Sequence, residues 1–165
     1  MLRYLLKSNP ETLQDFDLAA EEKYWEGFEL LAAGHHGCGI YILGYAAEMI
    51  LKHAAFRVQG HRPGVGLIGL LVPAKRYMKS RRPGVLDESF HSLWFWMHYL
   101  RSQRRDSGKL FASNLDAELV RRVRRLYHIW WVEMRYRPDQ ASALEAQMLY
   151  NDVSWLRANR ISLWS

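Results

Sequence analysis

Apolar positions recur with the 3.6-residue period of an α-helix along most of the chain, and no strand-like alternation persists. The most apolar segment is 40–57, where Glu48 and Lys52 stand one turn apart in a helix that is apolar around most of its circumference. A helix of that kind is typical of the centre of a bundle. Because the two charges are spaced i, i+4 in the favourable order, we expect them to pair as the helix packs.

The same periodicity predicts four more helices around this central one. The expected elements are a first helix within 10–33, the central helix over Cys38–Val58, a third after Asp87-Glu88-Ser89 to about Arg105, a fourth over Leu115–Arg135, and a fifth that follows a capping box at Ser142–Glu145 and runs to Ala158. A capping signal at Ser8-Asn9-Pro10 precedes the first helix. Its expected apolar face is Leu18, Tyr24, Trp25, Phe28, Leu31 and Ala32.

Segment 59–88 is rich in residues that interrupt helices, with three of the five prolines and five of the eleven glycines. It predicts a long connection with at most one helical turn, near Ala74 to Lys79. Gly64-Val-Gly66-Leu-Ile-Gly69 has the letters of a dinucleotide fingerprint, but it lacks the preceding strand that this site needs, so an apolar turn is expected. The predicted fold is an all-α antiparallel bundle of about five helices in one domain, 1–165, with a long Gly/Pro-rich connection at 59–88.

The cysteine content and the lengths of the apolar runs predict the compartment of the protein. A single cysteine, Cys38, excludes an intrachain disulfide and favours a reducing compartment. The start of the chain does not resemble a signal peptide, and the apolar run at 65–72 is too short to span a bilayer. We therefore expect a cytoplasmic protein without membrane association. No cofactor or metal is expected, because His35, His36 and Cys38 lack the second pair of ligands that a structural zinc requires.

The net charge of +6 favours a polyanionic partner, and arginine is concentrated in the second half of the chain. On the predicted fourth helix, the apolar side consists of Leu115, Leu119, Val123, Leu126, Trp130 and Met134. The candidate nucleic-acid-binding residues on the opposite side are Arg121, Arg124, Arg125, His128 and Arg135. Tyr127 and Trp131 flank this stripe and could stack on bases. The alternative is a solvated face whose charges pair with the acidic first helix or with a dimer partner.

The predicted third helix is aromatic on more than one face, through Trp94, Phe95, Trp96, His98 and Tyr99. This pattern favours a homodimer interface, where aromatic residues are enriched. The alternative is that the 59–88 connection covers the second face within one chain.

Three segments resemble the HEPN domain, a family of small all-α domains. Gly44-Tyr-Ala-Ala-Glu-x-x-Leu-Lys52 is similar to the second helix of that family, and His91-Ser92-Leu93 resembles its His-Asp-Leu, with serine in place of aspartate. Segment 134–139 resembles the family's Arg-Tyr-Pro-Asp turn, interrupted by Arg137, and 141–156 is similar to its last helix. The chain is thus identified as a divergent member.

The resemblance implies non-catalytic binding of RNA or a nucleotide by a basic helix face, in a toxin–antitoxin or defence setting. A second implication is a metal-independent ribonuclease whose site is shared by two subunits, with Arg122 and His128 as the catalytic candidates. These two match the spacing of the family's Arg-x4-6-His motif, but Val123 replaces its polar residue. A third is a protein-interaction module that partners a nucleotidyltransferase.

Overall fold

The computed structural model describes residues 12–81, 90–131, 134 and 141–165, and in these residues the fold is an all-α bundle, as the sequence predicts. An isolated bridge between Thr12 and Gly66 is the only β-type pairing in the described part. The helices are α1 Leu13–Ala32, α2 His36–Val58, α3 Ile68–Arg81, α4 Leu93–Asp106, α5 Ser113–Ile129, α6 Ala143–Ala158 and α7 Arg160–Trp164.

Helix α2 is the centre of the bundle, as its apolar composition predicts. It packs against α1, α4, α6 and α7, and most of its residues are buried. The turn from α1 to α2 passes through Gly34, whose φ of +82° is a left-handed conformation that favours glycine. None of the described helices combines the length and the apolar character that a membrane span would need.

The expected ion pair of α2 is formed inside the bundle. Glu48 and Lys52 are 3% and 4% exposed, and the ammonium of Lys52 donates to Oε1 of Glu48. The ammonium also lies 5.0 Å from the ring centroid of Trp96, while Oε2 of Glu48 is 3.1 Å from Nδ1 of His91. The pair therefore joins α2 to the start of α4, which is a structural role.

The buried face of α1 differs from the expected one. Leu18, Trp25 and Phe28 are exposed, and only Tyr24 of the expected bulky residues is fully buried. The inward positions are instead Leu13, Phe16, Ala20, Tyr24, Gly27 and Leu31, at the i, i+3, i+4 spacing of a helix seam. Small residues on this seam let α2 approach closely, since a Cβ at Gly27 would lie 2.6 Å from the side chain of Leu43. The helix begins after a capping box between Thr12 and Asp15, whereas Ser8-Asn9-Pro10 lies outside the described residues.

The prediction of at most one helical turn in 59–88 is wrong. Residues 68–81 form a helix of 14 residues, although Pro73 within it cannot donate a backbone hydrogen bond. Burial compensates for that loss, because Leu67, Ala74 and Met78 are at most 3% exposed. Residues 63–66 do form a turn, which packs on α1 through a hydrogen bond from the amide of Leu13 to the carbonyl of Val65.

Helix α3 also covers the second aromatic face of α4. The ring of Tyr77 lies 5.6 Å from that of Tyr99, and its hydroxyl donates to Asp106 at 2.5 Å. Phe95, Trp96 and Tyr99 are buried. Helix α3 thus covers the side of α4 that carries Tyr99, whereas Trp94 and His98 stay partly exposed, and the homodimer that the aromatic pattern favours stays a prediction.

Three helix boundaries depend on specific side chains. The predicted capping box at Ser142 and Glu145 is confirmed at the start of α6. Helix α5 ends at Ile129 rather than at Arg135, because Trp130 turns to an extended conformation and its indole donates to the carbonyl of Tyr41 on α2 at 3.0 Å. Helix α4 begins at Leu93, capped by Ser92, and α7 is an additional short helix that the sequence did not predict.

We expect Gly44→Ala to lower the free energy of unfolding by about 1–3 kcal/mol, because a Cβ at this position would lie 2.1 Å from the indole of Trp130. Gly69→Ala is the matched control, since a Cβ there meets nothing within 4 Å and alanine is the better helix former. Urea denaturation compares the two variants. Equal stability of both would contradict the close packing of Trp130 on α2.

Candidate nucleic-acid interface

A buried carboxylate on α6 engages two arginines of α5. Asp152 is fully buried, and Arg122 donates to it from Nη1 at 2.9 Å. Arg125 donates to it from Nε at 2.8 Å and also from Nη2. These hydrogen bonds raise the pKa of Arg125 above its ordinary value. Because a buried carboxylate is stable only when it is neutralised, Arg122 and Arg125 are part of the packing between the two helices.

A second carboxylate, Glu118, binds arginines on the same helix. Arg121 donates to it from Nε at 3.0 Å and from Nη2 at 2.7 Å, and Arg122 donates from Nε at 2.8 Å. The hydrogen bonds from Arg121, followed by those from Arg122, lower the pKa of Glu118. Arg121 remains half-exposed, so it contributes to the surface with its charge largely balanced.

A carboxylate of the acidic helix α1 pairs with arginines that lie outside α5. Glu21 on α1 accepts hydrogen bonds from Arg157 at 2.9 and 3.0 Å and from Arg160 at 2.9 Å. The hydrogen bonds from Arg157 lower the pKa of Glu21 despite its partial burial. The sequence-based alternative pairs the arginines of α5 with the acidic helix α1. This alternative is wrong among the described ion pairs, because those of α5 lie within the helix or join it to α4 and α6.

The remaining predicted residues of α5 lie on its outer side, next to aromatic rings. Arg124 and His128 are exposed, and the guanidinium carbon of Arg124 lies 5.7 Å from the ring centroid of Trp94 on α4. Tyr127, 37% exposed, lies 6.3 Å from the same ring between centroids. His98 lies 4.7 Å from it on the other side. We call these five residues the α4–α5 face.

No protein-family model, curated protein or solved structure matches this chain. Arg124 offers a guanidinium that can bind a phosphate, and the exposed ring of Tyr127 and the partly buried ring of Trp94 offer flat surfaces for stacking. A cation beside aromatic rings is the combination with which proteins hold single-stranded nucleic acids.

The two candidate catalytic residues point to different parts of the molecule. Arg122 faces α6 and is held by Asp152 and Glu118, and its guanidinium also lies 5.1 Å from the ring centroid of Trp155. His128 is exposed on the outer side of α5. It follows Arg122 by six residues, which is a separation of about 120° around the helix axis. Arg135 lies outside the described residues. No group of three or more His, Cys, Asp or Glu side chains that could hold a metal ion occurs in the described part of the chain.

The sequence reasoning missed two components of this region. Asp152 falls on the apolar face of α6, between Leu149 and Val153, and a carboxylate at a core position is a signal that a cation must come from a neighbouring helix. For Trp94 the sequence suggested a dimer contact or a position under the 59–88 connection, and not a contact with α5. Its placement against α5 depends on how α4 and α5 pack, which periodicity alone does not reveal.

We expect Asp152→Ala to lower the free energy of unfolding by about 1.5–3 kcal/mol, because it removes a buried carboxylate that accepts charge-assisted hydrogen bonds from Arg122 and Arg125. Glu26→Ala is the control, since it removes a carboxylate from an exposed pair with Lys23, which contributes about 1 kcal/mol or less. Chemical denaturation measures both. If the two variants lost equally little stability, Asp152 would not hold α5 against α6.

Proposed function

We propose that the protein binds single-stranded RNA through the α4–α5 face, without cleaving it. The observation that carries this proposal is the exposed Arg124 beside the rings of Trp94 and Tyr127. In this mode the guanidinium contacts a phosphate and the rings stack on a neighbouring base. His128 adds a second group that can donate a hydrogen bond to the backbone at the exposed end of the face.

The known magnitudes of base stacking and of phosphate neutralisation support a binding mode to which both contribute. Stacking of a base on an aromatic side chain contributes about 1–3 kcal/mol, and it tolerates any sequence because every base has a flat surface. Each phosphate of a single strand that the protein neutralises steepens the dependence of log affinity on log salt by about 0.7. The net charge of +6 adds long-range attraction for a polyanion.

The resemblance of segments 44–52 and 91–93 to HEPN domains supports the same proposal, since it implies RNA or nucleotide binding. We extend the proposal to the setting that this resemblance implies, a toxin–antitoxin or defence system. We favour binding over cleavage because Arg122 is bound by two carboxylates and does not share a face with His128.

We expect Arg124→Ala to weaken binding of an unstructured RNA oligonucleotide and to reduce the salt slope by about 0.7, because one phosphate contact is lost. Lys23→Ala, which removes the same charge from α1, should leave the slope unchanged. Fluorescence anisotropy at several salt concentrations measures both. Undetectable RNA affinity at low salt in the unmodified protein would overturn the proposal.

We expect Tyr127→Ala to weaken RNA binding by about 5- to 150-fold without changing the salt slope, because the substitution removes a stacking surface and no charge. Tyr127→Phe retains the ring and should bind within about twofold of the unmodified protein. The same anisotropy titrations provide the measurement. A loss of affinity as large for phenylalanine as for alanine would show that the ring does not stack on a base.

A further inference from the structure

A cleft of about 320 Å³ lies where the last turns of α4 meet the start of α5. Its volume is at the lower end of the range for small-ligand sites. Its walls include three arginines of α4, an aromatic residue from the link between the helices, and two residues from the first turn of α5. These residues are Arg101, Arg104, Arg105, Phe111, Ser113 and Asp116.

The cleft has more positive than negative charge. Asp116 accepts two hydrogen bonds from Arg101, both at 2.7 Å, so these two charges balance. Arg104 is 6% exposed, and it donates to the main-chain oxygens of Lys109, Leu163 and Ser165 at 2.6–3.1 Å, with a longer contact to Ser162. No side-chain carboxylate pairs with Arg104 or Arg105 among the described residues.

Arg104 is poised to accept an anion from the cleft. Its Nε and Nη1 make all of its hydrogen bonds to the described residues, which leaves Nη2 without a partner among them. The guanidinium carbon lies 4.2 Å from the centroid of the Phe111 ring. Burial of this cation lowers its pKa from the ordinary value, and a bound anion would offset that cost.

The cleft continues the α4–α5 face. Trp94, His98, Arg101 and Arg105 follow one another at spacings of four, three and four residues, which places them on one side of α4 over a length of about 16 Å. A strand that lies between α4 and α5 from Trp94 onward therefore reaches the cleft. The link between the two helices, residues 107–112, stands at the end of this path. A strand that enters the cleft meets this link, which favours a strand end over an internal nucleotide.

We infer that the cleft binds the terminal phosphate of the RNA strand held by the α4–α5 face, an inference that rests on the proposed function. A terminal phosphate monoester carries a charge of about −1.5 to −2 at neutral pH and has three free oxygens, whereas an internal diester has one charge. Arg105 and Nη2 of Arg104 supply the donors, and Phe111 forms an apolar wall beside the last nucleotide. The 5′ and 3′ ends share this chemistry.

The test uses one short unstructured RNA in three forms: with a 5′-phosphate, with a 3′-phosphate, and with hydroxyls at both ends. We expect one phosphorylated form to bind about tenfold more tightly than the hydroxyl form, as one additional charge-assisted hydrogen bond implies. A hydroxyl-ended RNA that is one nucleotide longer controls for the extra charge and should gain much less. Anisotropy at fixed salt measures all four.

Two variants test whether the preference for a phosphorylated end arises in the cleft. Arg105→Ala, an exposed substitution outside the described ion pairs, should abolish the preference for the phosphorylated end. Arg124→Ala should weaken all forms and keep the preference. If the unmodified protein binds all forms equally, or if Arg105→Ala keeps the preference, the inference fails while the proposed function stands. If no form binds, the proposed function fails, and the inference with it.

Discussion

The Asp152 carboxylate is the constraint on which the arrangement of the last helices depends. A fully buried carboxylate would cost several kcal/mol if it were unpaired, and α5 supplies the two guanidinium groups that neutralise it. Both arginines must face α6 to reach this carboxylate. Asp152 therefore fixes the rotation of α5 about its own axis, and this rotation decides which of the other side chains face the solvent.

The rotation of α5 turns one side of this arginine-rich helix toward α6 and leaves another side facing the solvent. Residues three and four apart share a side of a helix, so Glu118, Arg122 and Arg125 turn together toward α6. Arg124 and His128, one turn apart, are left on the outside and beside α4. Leu119, Val123 and Leu126 fill the core between the two sides. A single periodic sequence thus supplies core packing, ion pairs and the surface that we propose to bind RNA.

The sequence was sufficient where the signal is local. The central helix, its Glu48–Lys52 pair and the cap at Ser142 each depend on residues within one or two turns, and each is confirmed. The sequence was insufficient where contacts between distant residues determine the structure. Pro73 suggested a break, but burial of Met78 against the rest of the core stabilises a helix there. The engagement of Arg125 by Asp152 joins positions 27 residues apart, and no pattern in a single sequence shows such a pair.

The division of the α5 arginines is tested most directly by measuring two quantities on Arg125→Ala: the free energy of unfolding in urea, and the affinity for RNA at a temperature where the variant is fully folded. The stability should fall by more than about 1 kcal/mol, because a buried carboxylate loses hydrogen bonds to a charged donor, while the RNA affinity stays within about twofold. An unchanged stability together with a large loss of RNA affinity would contradict a structural role for Arg125 and would place it on the RNA-binding surface instead.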